Sequence, residues 1–234
     1  GFVGDLTNME TGYIFKEFFD RTLDSQNYES RSDNRFLDFN KRENYLFNST
    51  INGIEESDLI FLIGTNPRYE ATILNARIRK SYLNNNTKII SLSDLGDLTY
   101  PYESLDGQTQ TLKNIFDGNH DVSKTILAAS KPLVIIGESL LKSSSSRYLF
   151  NKIKRFMSQN KKNNDEWKSL NILSCDASTV GNFDLGLVNE NNNLLEDLQK
   201  NKFDIVYLIG QDNLNFNKKN EFIIYQGSHG DKGA

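Results

Sequence analysis

Two short runs concentrate residue types that could do chemistry. Gly64-Thr65-Asn66-Pro67-Arg68 follows five apolar residues and precedes a helical pattern, so it falls where a strand hands over to a helix. Free helix N–H groups and the helix dipole favour an anion at such a junction, and Arg68 adds a positive charge. The same residues also describe a structural turn: Gly64 permits a sharp bend, Asn66 can cap, and Pro67 suits the first helical position, which leaves Arg68 as the residue a plain turn does not need. Neither GxGxxG nor GxxxxGK[ST] occurs, so a standard dinucleotide fingerprint and a P-loop are both unsupported. The second run, Tyr225-Gln226-Gly227-Ser228-His229-Gly230-Asp231-Lys232-Gly233, puts a histidine beside an aspartate, a pairing suited to general-base work. No paired nucleophile accompanies it, and its glycines equally make a tight loop, the reading preferred here. Cys175 directly follows an apolar run and is expected to be a buried small hydrophobe rather than a nucleophile. No catalytic residue and no metal ligand set is assigned from these runs.

The elements that would hold these runs are legible as apolar stretches. Asp58–Gly64, Lys88–Ser93, Leu133–Gly137, Leu170–Ser174, Asp204–Gly210 and Phe222–Gly227 are near-continuous rather than alternating, the pattern of parallel strands covered on both faces. Between the first two, Ala71, Leu74, Ile78 and Tyr82 form one stripe on a helix expected to begin just after Pro67, with Arg77, Arg79 and Lys80 placed to suit its C-terminus. Serines 143 to 146 offer an N-cap to a helix carrying Leu149, Ile153 and Phe156, and Leu194, Leu195 and Leu198 mark another short helix. Strand, helix, strand in repetition implies βαβ crossovers, hence an α/β fold with mostly parallel sheets. Asp58-Leu-Ile-Phe-Leu-Ile-Gly64 and Asp204-Ile-Val-Tyr-Leu-Ile-Gly210 share one grammar, which suggests two Rossmann-like lobes, residues 1–118 and 119–234, against the alternative of one continuous sheet. Residues 21 to 48 are polar and read as a long surface loop or an interface segment.

Composition narrows the function classes. The 234 residues carry a net charge of -4, with 27 basic and 31 acidic side chains and no basic block, so the electrostatic footprint of a nucleic-acid binder is missing. No run approaches the ~18 apolar residues of a spanning helix. One cysteine and two histidines cannot supply a tetrathiolate zinc site or an iron-sulfur cluster. Asn, at roughly one residue in eight, is over-used together with Lys, Ile, Phe and Tyr, residues whose codons are A/T-rich, so an AT-rich gene accounts for the skew better than disorder does.

Several motifs together carry a resemblance. The runs Arg42–Asp58, Leu62–Glu70 and Leu74–Lys80, then Asp97–Tyr102, Asn182–Gly186 and Tyr225–Asp231, follow in order and spacing the large iron-sulfur subunit (75 kDa type) of respiratory complex I. The resemblance extends from Arg42 to the end of the chain, and Ser228 stands where that family usually has His. In that family an N-terminal portion rich in Cys and His ligates iron-sulfur clusters, and a C-terminal portion resembles the molybdopterin oxidoreductases without carrying their cofactor; this chain is similar to the second portion only. The resemblance therefore implies a Rossmann-like, molybdopterin-oxidoreductase-like scaffold in the matrix arm of the mitochondrial enzyme. It implies no redox centre in this chain, with iron-sulfur clusters in a partner chain and other hydrophilic-arm subunits as neighbours. The alternative is a domain that still binds a nucleotide or pterin dinucleotide at Gly64, Thr65, Asn66, Pro67 and Arg68. A split gene or a shortened form is the expectation from the family's greater length. Leu6, Met9 and Tyr13 form an i, i+3, i+7 stripe followed by Phe15, Phe18 and Phe19, and part of that Phe cluster is expected to pack on the cluster-binding chain, unless the helix merely covers its own sheet.

Overall fold

The computed structural model describes residues 1–159, 166–189 and 193–228. Among them the strands are β1 (Phe2–Val3), β2 (Leu59–Ile63), β3 (Lys88–Ser91), β4 (Glu103–Ser104), β5 (Pro132–Gly137), β6 (Leu170–Leu173), β7 (Ile205–Ile209) and β8 (Phe222–Gln226). The α-helices are α1 (Met9–Glu17), α2 (Thr50–Glu56), α3 (Pro67–Glu70), α4 (Thr72–Asn85), α5 (Thr109–Phe116), α6 (Asp121–Ala128), α7 (Glu138–Leu141), α8 (Ser146–Gln159), α9 (Thr179–Asp184) and α10 (Leu194–Gln199). All six apolar runs are strands, and every strand pair is parallel. The fold is α/β with parallel sheets, as the continuous apolar runs imply.

The chain divides into two compact units, one of residues 35–175 and one that joins residues 1–34 to residues 176–234. The expected division at 118/119 differs from this, and hydrogen bonding gives the reason: β2 and β5 lie on opposite sides of that position and pair along their whole length in one sheet. The two runs that share one sequence grammar do fall in different units, as β2 and β7.

The contiguous unit is a five-stranded sheet in the order β4-β3-β2-β5-β6 with apolar layers on both faces. Alternate residues of each strand point to opposite sides. Leu59, Phe61, Ile63, Val134 and Ile136 pack with Leu112 and Ile115 of α5, Ile126 of α6, and Leu149, Phe150, Ile153 and Met157 of α8. Ile60, Leu62, Leu133 and Ile135 face the other way, against Ile54 of α2, Ile78 of α4, Leu98, Tyr100 and Trp167. The Trp167 indole is anchored by donating to the Pro132 carbonyl at 3.0 Å. The stripe foreseen on residues 71–82 is present, but the helix breaks at Ala71 into α3 and α4. Its C-terminus lies beyond the basic cluster, at Asn86, which takes the left-handed conformation that ends helices. Arg77 and Lys80 instead pair with Glu55 of α2, the latter at 2.7 Å.

The discontinuous unit is a three-stranded sheet, β1-β7-β8. On one face Phe2, Val206 and Leu208 pack with Leu194, Leu195 and Leu198 of α10. On the other, Val3 and Ile209 pack with Phe15, Phe19, Tyr28 and Leu187. Phe15 and Phe19 are therefore core of their own unit, ring centroids 4.7 Å apart. Within the Phe cluster Phe18 remains open, 40% exposed, while Leu6, Met9 and Tyr13 are exposed. The polar stretch 21–48 is more than a surface loop, because it contributes buried Glu29, Ser30, Arg35, Asp38 and Asn44.

Candidate functional site

The strand order places the first sequence candidate at a topological switch point. From β2 the chain proceeds outward to β3 and β4, whereas from β5 it proceeds the other way to β6, so the carboxyl ends of β2 and β5 flank the crevice where open α/β sheets commonly bind ligands. Gly64, Thr65, Asn66, Pro67 and Arg68 leave β2 at that point, and Gly137 and Glu138 leave β5.

The crevice is filled by the chain itself. Gly64 has φ +63°, and a Cβ there would lie 2.6 Å from the Leu140 backbone nitrogen. A Cβ on Gly137 would lie 2.4 Å from the Gly64 carbonyl oxygen, so the ends of β2 and β5 approach as only glycine allows. The backbone N–H of Ser139 donates to the Gly64 carbonyl at 3.3 Å, laying the first turn of α7 across the gap.

The polar groups of the turn are likewise spent internally. Glu70, at the end of α3, accepts from the Thr65 hydroxyl at 2.6 Å and from the Asn66 backbone N–H at 3.1 Å. Asn66 caps the helix through its side-chain oxygen, which accepts from the Arg68 N–H at 3.2 Å, and its amide donates to the Leu95 carbonyl at 3.1 Å. Pro67 occupies the first helical position. Arg68, the residue a plain turn does not require, pairs with Asp97 Oδ2 at 2.7 Å and also donates to the Asp97 backbone carbonyl. The guanidinium, helped by the Thr99 N–H, holds Asp97 below the ordinary carboxylate range. Two carboxylates of the chain, Glu70 and Asp97, thus take the positions an anion would compete for. Neither was singled out from the sequence. An acidic residue four places after a capping Asn was the available local signal for Glu70, while Asp97 is brought in by the β3–β4 segment and has none.

The other candidates separate. Cys175 is exposed rather than buried, because it lies just past the end of β6 where the chain leaves the core; its backbone N–H donates to Glu138 Oε1 at 3.2 Å. The Tyr225–Gly233 run begins in β8 as expected, with the Tyr225 hydroxyl donating to Asp212 at 2.7 Å, but His229 and Asp231 lie outside the described residues. No group of three or more His, Cys, Asp or Glu side chains among the described residues is arranged to hold a metal ion, and no helix among them is long and apolar enough to cross a membrane.

Sequence comparison agrees with the architecture. The chain is 35% identical over 249 aligned residues to the NADH-ubiquinone oxidoreductase 75 kDa subunit of Reclinomonas americana, an alignment covering 100% of this chain and 36% of that protein. It is 40% identical over 200 residues to the mitochondrial NADH-ubiquinone oxidoreductase 78 kDa subunit of Candida albicans, covering 84% of this chain and 26% of the relative. A third relative, the mitochondrial NADH dehydrogenase [ubiquinone] iron-sulfur protein 1 of Solanum tuberosum, is 31% identical over 236 residues, 100% of this chain and 31% of that protein. The chain thus spans about a third of the length of these relatives or less, and they are the proteins its motif series resembles. The molybdopterin oxidoreductase family matches residues 1–234, and the chain belongs to that family.

Proposed function

We propose that this chain is a structural part of the hydrophilic arm of respiratory complex I, on the matrix side of the mitochondrial inner membrane. In this reading it supports NADH-to-ubiquinone electron transfer without a redox centre of its own. The observation that carries the reading is the match of the whole chain to NADH-ubiquinone oxidoreductase subunits of the 75 kDa type, combined with its single cysteine. One thiolate cannot hold a cluster that requires several, so in this reading the iron-sulfur clusters belong to residues outside this chain, and its role is that of a scaffold beside them.

The family name raises the question of a pterin. The residues at the switch point do not fit one: a pterin phosphate at Gly64–Arg68 would have to displace Glu70 from Thr65 and Asn66, part Arg68 from Asp97, and enter a gap already crossed by the backbone of α7. The turn supports the scaffold reading over a nucleotide- or pterin-dinucleotide-binding domain. The test is to express the tagged chain in mitochondria, isolate it with its neighbours and identify them by mass spectrometry. Hydrophilic-arm subunits of complex I should co-purify, and the chain purified alone should lack a visible-region iron-sulfur spectrum and bound molybdenum. A cluster spectrum, bound molybdenum, or stabilisation by nucleotide that Arg68→Ala abolishes would overturn the reading.

A further inference from the structure

The first N–H groups of a helix have no partner within it, so a side chain just before the helix must accept from them or leave them to water. Asn8, Asn66 and Asn193 do this for α1, α3 and α10 through amide oxygens, acceptors that do not change with pH. At α6 the capping residue is His120, whose φ of -136° and ψ of 149° are extended, as a cap requires. Its Nδ1 accepts from the Val122 N–H at 3.2 Å. Its carbonyl accepts from the Ser123 N–H at 3.0 Å, so the residue ties two of these groups, one through its ring and one through its backbone.

An imidazole nitrogen accepts only while it carries no proton. The cap therefore requires the neutral ring, in the tautomer with its hydrogen on Nε2. Protonation turns Nδ1 into a donor facing another donor, and it places a positive charge at the positive end of the helix dipole. The charged groups that act on the ring are Asp106, on the segment before α5, and Asp121 with its partner Lys124, on α6. The two carboxylates offset the added charge without replacing the lost acceptor. Asp106 already accepts from the Gln108 N–H at 3.0 Å and the Thr111 hydroxyl at 2.7 Å, and Asp121 is held by Lys124 at 2.9 Å. The loss reaches the core, because Val122 packs there and the buried Ser123 donates its hydroxyl to the Ile115 carbonyl of α5.

We propose that His120 is a pH-sensitive latch on the junction between α5 and α6: the neutral imidazole holds the first turn of α6 closed, and the imidazolium releases it. The released state is a local opening at the start of α6, with the five-stranded sheet still folded. Histidine is suited to the task because its charge changes between about pH 5 and 8, where the amide caps of the other helices stay constant. The latch is independent of the role proposed for the chain in complex I.

NMR of the full chain between about pH 5 and 8 tests it. Long-range proton–nitrogen correlations of the imidazole give its tautomer and its titration, and exchange of the Val122 amide, divided by the intrinsic rate at each pH, gives that amide's protection factor. At the alkaline end Nδ1 should carry no proton. Val122 protection should fall several-fold on acidification, with the midpoint of the His120 titration. His120→Asn, whose amide oxygen caps at every pH, should hold the protection constant across the range, and His120→Ala should keep it low throughout, with native circular dichroism in both. A proton on Nδ1 at the alkaline end, Val122 protection that ignores the imidazole titration, or an equal fall in His120→Asn would overturn the proposal.

Discussion

Arg35 Nη1 lies 2.5 Å from Glu138 Oε1, and both side chains are about nine-tenths buried. The pair fastens the first residue of the contiguous unit to the end of β5, two points far apart in the chain. Glu138 also accepts from the Cys175 N–H at 3.2 Å and pairs with Lys142 at 3.1 Å, so one carboxylate gathers three segments. Removing one partner of a buried pair strands the other charge, so Glu138→Ala should cost about 3–5 kcal/mol in urea unfolding. The double change Arg35→Met/Glu138→Leu should recover most of that loss. A Glu138→Ala protein as stable as the parent would show that the pair does not tie the unit together.

Phe18 and Phe19 are neighbours with opposite environments. Phe19 is 7% exposed and packs edge-on against Tyr28, whereas Phe18 is 40% exposed. Phe19→Ala should destabilise by about 3–5 kcal/mol, the usual cost of emptying a buried aromatic site. Phe18→Ser should leave the circular dichroism native. If Phe18 is the contact with a neighbouring subunit, the Phe18→Ser chain should be lost from the isolated complex while remaining folded. Retention at unchanged yield would remove Phe18 from the interface.

Gly137 and Gly64 set how closely β2 and β5 approach at their carboxyl ends. Gly137→Ala places a methyl group 2.4 Å from the Gly64 carbonyl oxygen and from Thr65 Cβ, positions that cannot yield without moving backbone. A loss of about 1–3 kcal/mol is expected, the range for overpacking a tight site. Gly118→Ala is an informative contrast, since its Cβ would meet nothing within 4 Å and only its φ of +82° opposes the change. Thermal unfolding of the two variants should rank Gly137→Ala as the more damaging.

Asp97 provides a pH signature. The Arg68 guanidinium depresses its carboxyl, and a carboxylate whose folded pKa lies below its unfolded value stabilises the protein above the unfolded value, a contribution lost as pH falls through the folded one. The window is therefore acidic, below roughly pH 4. Arg68→Gln should raise the Asp97 pKa toward the ordinary value of about 3.9, read by carbon-detected NMR titration. An unchanged titration would mean that the ion pair does not form in solution.

The parts of this fold that are legible in sequence are those written locally. Five or six consecutive apolar residues, as in Leu59–Ile63 or Pro132–Gly137, announce a strand buried on both faces, and Pro67 after Asn66 announces a helix start. Two-residue strands such as Phe2–Val3 and Glu103–Ser104 are too short for any pattern. The discontinuous unit is not legible locally, because it depends on Phe2 pairing beside Leu208, a contact with no trace in the residues between. The turn at Gly64 was legible as a turn. Its self-sufficiency was not, since Asp97 reaches Arg68 only once β3 has brought the following segment alongside. Polar residues 21–48 suggested solvent, yet Glu29 and Arg35 are buried because Arg31 and Glu138 neutralise them.

The discontinuous sheet also imposes a schedule on synthesis. Residues 35–175 can collapse as soon as they leave the ribosome, because every strand of their sheet lies within that span. Phe2 and Val3, made long before Leu208 and Ile209, must wait for them, and at ~5–20 residues per second that interval is on the order of 10–40 s. Throughout it the segment that holds Phe2, Phe15 and Phe19 has its apolar aromatics but no sheet to place them on. Of this stretch of chain, the residues translated earliest are thus among the last to find their place, and during that interval they are the part most in need of a chaperone.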